Sequence, residues 1–150
     1  MLVVLAVTDL DHLVLRVADV EASLAWYCGR LGLEGVRVEE WRSASAPFPS
    51  VRVSATAIID LIARPSGASS TGTVEHGTVE HGTASHGAAS EGNLDHLCLV
   101  VVPCDLADAA SAAGLEVSEG PVARFGARGW GTSIYVHDPD GNLVELRHYG

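Results

Sequence analysis

The chain is written twice. Leu10-Asp-His-Leu-Val-Leu-Arg-Val17 returns as Leu94-Asp-His-Leu-Cys-Leu-Val-Val101, with six of the eight positions identical. The far ends correspond as well, Ile58-Ile-Asp-Leu61 against Leu143-Val-Glu-Leu146. From His12 to Asp60 is 48 positions, and from His96 to Glu145 is 49. Two motifs in the same order at the same separation mark a tandem duplication. Such a chain has to fold as two copies of one supersecondary unit that share a core.

Each copy carries the same order of elements. Asp19 is placed to cap a helix over residues 20–31, and Gly32 ends it. Leu24, Tyr27, Cys28 and Leu31 recur at helical spacing and form its buried face. Three strand-like runs follow, at 35–41, 50–55 and 56–64. The second copy has a strand at 94–102, a helix near 105–113 ended by Gly114, and strands near 115–119, 130–137 and 142–148. The pattern predicts an α+β fold of two tandem βαβββ modules, at 10–65 and 93–150, within one structural domain. Residues 1–9 read as an extension or a strand. Their apolar stretch lacks the basic start and small-residue cleavage site of a signal peptide, and it runs into Asp9, Asp11 and His12. Residues 66–92 read as a flexible linker rich in Gly, Ser, Thr and Ala. Its repeated His76, His81 and His86 form a tract that binds metal, if at all, by composition.

Strands alternate faces with a period of two. On the first strand Leu13, Leu15 and Val17 form an aliphatic face for the helix to cover, which leaves His12 on the opposite face. His96 and Cys98 follow the same logic in the second copy. Asp60 sits between Ile59 and Leu61, and Glu145 between Val144 and Leu146, so each acid faces the histidine side. The turn Asp138-Pro-Asp-Gly-Asn142 precedes the Glu145 strand and folds it back as a hairpin. A carboxylate inside an apolar strand is costly unless something pairs with it. If the repeats pack about a pseudo-twofold axis, His12, His96, Asp60 and Glu145 converge on one cleft. Neutral imidazole and carboxylate are ligands for a divalent transition metal such as Fe, Mn, Zn, Ni or Co.

Charge narrows the partners. Nine arginines, no lysine and nineteen acids give a net charge of −10, which argues against nucleic acid and anionic membranes. No run reaches the ~18 apolar residues of a membrane span. The three cysteines, Cys28, Cys98 and Cys104, lack metal-type spacing and read as reduced thiols of a cytoplasmic protein.

These motifs, with Tyr135-Val-His-Asp-Pro-Asp-Gly-Asn-Leu-Val-Glu145, resemble the vicinal oxygen chelate superfamily. That group includes glyoxalase I, fosfomycin-resistance proteins, extradiol dioxygenases and bleomycin-resistance proteins. The stretch Gly120-Pro-Val-Ala-Arg124 with Ser133-Ile-Tyr135 looks most like its small glyoxalase-domain members. The resemblance implies a curved mixed sheet around a metal held by His12, His96 and Glu145. It puts Asp60 where glyoxalase I has a longer Glu, and it implies a homodimer in which the site is built across two chains.

Three functions compete at this point. The first is a glyoxalase-like lyase or isomerase, acting on a small molecule that chelates the metal through adjacent oxygens, with Asp60 or Glu145 as general base. The second is extradiol ring cleavage, suggested by Tyr135 ten residues before Glu145. It is weakened because the segment Phe125-Gly-Ala-Arg-Gly-Trp130 has no histidine. The third is drug sequestration, which suits a chain with 5% aromatic residues poorly. Trp130, among glycines, is expected in a loop that could cover a ligand.

Overall fold

The computed structural model describes residues 7–65 and 94–150. The linker, its histidines and the first six residues lie outside the described residues. The first module runs β1 (His12–Val17), α1 (Val20–Gly29), β2 (Glu34–Val36), α2 (Val38–Arg42), β3 (Ser50–Arg52) and β4 (Ile58–Ala63). The second runs β5 (His96–Val100), α3 (Leu106–Ala112), β6 (Val117–Gly126), β7 (Gly129–His137) and β8 (Leu143–His148). Each module is one four-stranded mixed sheet, ordered β1-β4-β3-β2 and β5-β8-β7-β6. First and last strands pair in parallel, and the other pairs are antiparallel. The α+β class and the tandem βαβββ plan therefore hold, as two sheets and not one continuous one.

The helices start where side-chain acceptors allow. Asp19 accepts from the Ala22 amide and Asp105 from the Asp108 amide, each at 3.0 Å, so both modules use the same cap. The first helix ends at Gly29, before the expected boundary, with Arg30 as its C-cap and Gly32 in the left-handed region at φ 69°.

Two expected strands are corrected. The run 35–41 is a strand only to Val36. Arg37 adopts φ 57°, and Val38–Arg42 turns into a short helix. Arg42 fastens that helix to Glu39 one turn back and to Glu21 on α1. The run 115–119 belongs to a longer strand, β6, which continues to Gly126 and pairs with β7 through Phe125 opposite Trp130 to Gly126 opposite Gly129. Trp130 stands at the start of β7, within the strand expected near 130–137. It meets Phe125 edge-to-face with ring centroids 5.9 Å apart.

Each sheet buries its aliphatic face. Leu15, Val17, Val51, Ile59 and Leu61 pack under Val20, Leu24 and Tyr27 of α1. Ile134, Val136, Val144 and Leu146 pack under Leu106 and Ala110 of α3. Trp26, Leu31 and Leu97 touch both clusters, so the modules join through their helix-covered sides. No helix among the described residues is long and apolar enough to cross a membrane.

A polar clasp crosses the same junction. The buried Tyr27 hydroxyl donates to Asp138 Oδ2 at 2.9 Å. The Ala18 amide and the Arg64 guanidinium reach Asp140 Oδ1 at 2.8 and 3.2 Å. The Asp138–Asn142 turn thus does more than return the chain, because Asp138 also accepts from the Asp140 and Asn142 amides. Burial, then the charge of Asp138, pushes the Tyr27 phenol far above its ordinary 10.0. A phenol raised by folding stabilises the fold below its unfolded value, and that support is lost as pH climbs beyond it. Tyr27→Phe is expected to lower unfolding free energy by about 1–3 kcal/mol at pH 7, the scale of a buried hydrogen bond to a charge. The same variant should flatten the loss of stability that wild type suffers above about pH 10. Urea unfolding across pH checks both.

Candidate metal centre

Parallel pairing of first and last strands makes neighbours of residues far apart in sequence. On β1 and β4, Val14 lies opposite Asp60, with His12 one pair earlier on the same face. On β5 and β8, Cys98 lies opposite Glu145, with His96 again one pair earlier. Tyr135 of β7 flanks Glu145 on its other side. The alternation read from the sequence holds, because the opposite faces carry the two cores.

Both acids are buried, Asp60 at 7% exposure and Glu145 at 4%, so each needs compensation. Ser50 Oγ donates to Asp60 Oδ1 at 2.6 Å, and Ser133 Oγ donates to Glu145 Oε1 at 2.5 Å. Arg147, itself buried, stands 3.5 Å from the same Glu145 oxygen. The other oxygen, Oε2, lies 3.1 Å from His96 Nε2. Two lone pairs facing each other at that distance require a proton or a cation between them.

The imidazoles are held from behind. Asp11 sits 2.7 Å from His12 Nδ1, and Asp95 sits 2.6 Å from His96 Nδ1. A proton on Nδ1 leaves Nε2 with its lone pair outward, the form that binds a metal. The hydrogen bond to Asp11, with lesser help from the Asp60 charge, raises the His12 pKa above its ordinary value. The donor set, nitrogen and carboxylate oxygen with their second atoms already occupied, fits a divalent transition metal.

The four expected ligands stand as two pairs, His12 near Asp60 and His96 beside Glu145. Among the described residues, no three His, Cys, Asp or Glu side chains gather closely enough for one ion. The single-chain convergence expected from a pseudo-twofold packing is therefore not found. The reason is the junction itself: the modules meet through Trp26, Leu31 and Leu97, on the sides opposite the ligands.

Tyr135 joins the second pair, its ring edge-on to His96 at 5.8 Å and beneath the Arg124 guanidinium at 5.9 Å. The serines escaped sequence reading, since Ser50 is ten residues before its acid and Ser133 twelve before its own. Asp11 and Asp95 belong to the repeated Leu-Asp-His, where alternation by itself points to the histidine.

A duplicated βαβββ unit with His on its first strand and a carboxylate on its last is the plan of a paired-module fold. The chain belongs to the Glyoxalase/Bleomycin resistance protein/Dioxygenase superfamily, whose family model matches residues 9–146. It is 30% identical over 141 residues to Virulence protein STM3117 of Salmonella typhimurium, covering 93% of this chain and 83% of that one. It is 34% identical over 148 residues to Glyoxalase domain-containing protein RDO1 of Mycosarcoma maydis, covering 97% and 70%. The solved structure of the integron cassette protein VCH_CASS1, from the mobile metagenome of V. cholerae, superposes with a TM-score of 0.66 at 29% identity. That match covers 99% of this chain and 100% of the other.

Cys98 tests this description of the second half-site. Burial first, and then the neighbouring Glu145 charge, push its thiol up to about 11. Iodoacetamide labelling of Cys98, followed by peptide mass spectrometry, should be slow at pH 8 and rise roughly tenfold per pH unit toward that value, since the thiolate is the nucleophile. In Glu145→Gln the whole profile should move to lower pH.

Proposed function

We propose that this chain is a cytoplasmic, divalent-metal-dependent enzyme of glyoxalase-like type. It would act as a lyase or isomerase on a small molecule that presents two adjacent oxygens. The observation that carries the reading is the His96–Glu145 pair, with Nε2 and Oε2 at 3.1 Å and every other polar atom of the two groups held by a neighbour. His12, His96, Glu145 and Asp60 would hold the ion. When bound, it supplies electrophilic stabilisation for negative charge that develops on the substrate oxygens. The carboxylates have the remaining role. Ser50 and Ser133 each hold one oxygen; the other oxygen of Asp60 would take a proton from a carbon next to a carbonyl, while that of Glu145 stays against His96. Tyr135, packed against His96, forms a wall that orients the substrate.

The working unit would be a homodimer, with each site made from module 1 of one copy and module 2 of the other. Two features support this. The ligand pairs of one chain lie on faces turned away from the shared core. The strands that carry the histidines, β1 and β5, end their sheets. Val14, Val100 and Leu94 are exposed along these edges, and an open strand edge with apolar side chains invites pairing.

A second reading, extradiol ring cleavage, draws on the position of Tyr135 beside His96 and Glu145. The tip that precedes it, Gly126–Gly129, offers no histidine to accompany it.

The test uses untagged protein. Metal analysis should find about one divalent ion per chain, the count set by one shared site per module pair. His12→Ala, His96→Ala and Glu145→Ala should each lose it, and wild-type content in all three would sink the proposal. Mixing unfolded-and-refolded His12→Ala with Glu145→Ala chains separates the two assemblies. A site shared across the dimer regains metal in the mixture, because one of its two module pairs is intact. A site within one chain regains none. Oxygen uptake on catechols with Fe(II) would instead favour ring cleavage.

A further inference from the structure

The atoms that hold the ligands recur in both modules, although the geometry that delivers them does not. Asp11 and Asp95 hold the two Nδ1 atoms from adjacent positions in the chain. The serines arrive differently. Ser50 lies directly opposite Asp60 in the β3–β4 ladder. Ser133 lies opposite Arg147, and Tyr135 occupies the place opposite Glu145. The contact at Glu145 is therefore diagonal, and it closes because the glutamate arm is one methylene longer than that of Asp60. Gly120 lies against the Ser133 backbone, where a Cβ would come 2.5 Å from the Ser133 carbonyl oxygen, so the serine's own strand is packed tightly. Simple copying would have kept the register along with the residue. The same hydroxyl–carboxylate contact has been reached from two registers, which singles out the contact as what both halves require.

We infer that Asp11, Asp95, Ser50 and Ser133 are positioning residues of the metal centre. They fix the imidazole tautomer and leave one chosen carboxylate oxygen of each acid to face the ion. The inference rests on the metal-centre reading above. Its physical basis is that a ligand whose second atom is already bonded loses less freedom when it coordinates, and that an anionic acceptor behind an imidazole makes the outer nitrogen a better donor.

Calorimetric titration of the full-length protein with Mn(II), Co(II) and Zn(II) chloride tests it, paired with the Co(II) visible spectrum and thermal melts. His96→Ala and Glu145→Ala serve as controls and should bind no ion at that site. Asp95→Ala removes an exposed side chain, so its melting temperature should match wild type while its affinity falls about 10–100-fold. Asp95→Asn keeps an acceptor and should recover part of the loss. Ser133→Ala should weaken binding on the same scale and alter the Co(II) spectrum. If the controls lose the metal while Asp95→Ala and Ser133→Ala bind as wild type does, the positioning role is overturned and the metal centre stands. If the controls bind as wild type does, the metal-centre reading falls and this inference falls with it.

Discussion

The parallel pairing of each module's first strand with its last is the constraint on which the rest depends. It sets His12 beside Asp60 across 48 positions of chain, and His96 beside Glu145 across 49. A parallel pair needs a long crossover, and here the crossover is the helix and remaining strands of the module. That helix covers one face of the pair. Side-chain alternation then leaves His12, Asp60, His96 and Glu145 on the other face, with no further instruction from the sequence.

That logic explains what could be read in advance. A repeat with a fixed interval and an aliphatic face at every second position decides the module, the helix side and the ligand side together. Asp19 announces its helix because a side-chain acceptor before a helical pattern has one obvious use, and the structure finds it capping Ala22. The short helix Val38–Arg42 was missed because its signal is tertiary: Arg42 reaches Glu21 on another helix, which no local window contains. Trp130 falls within the strand expected near 130–137 although glycines flank it, because pairing with Phe125 carries the hairpin through them. Ser50 and Ser133 were illegible for a related reason, since strand register and not sequence spacing decides which serine meets which acid.

The two halves have also diverged around their buried acids. Glu145 has Ser133 on one oxygen with Arg147 close by. Among the described residues Asp60 is hydrogen-bonded by Ser50, and the residue two places on is Ile62 where the second copy has Arg147. Cys98 and Tyr135 flank Glu145 in register, where Val14 and Ser50 flank Asp60. The second acid is therefore the more crowded and the more firmly tied of the two.

The clasp at Asp138–Asn142 belongs to one copy only. The corresponding turn of module 1, closed by Val53 and Ser54 bonding to Ala57, has no acid to offer. Duplication thus gave one half a fastening that the other half receives, through Tyr27, Ala18 and Arg64. The halves recognise each other by contacts that owe nothing to the peptide joining them.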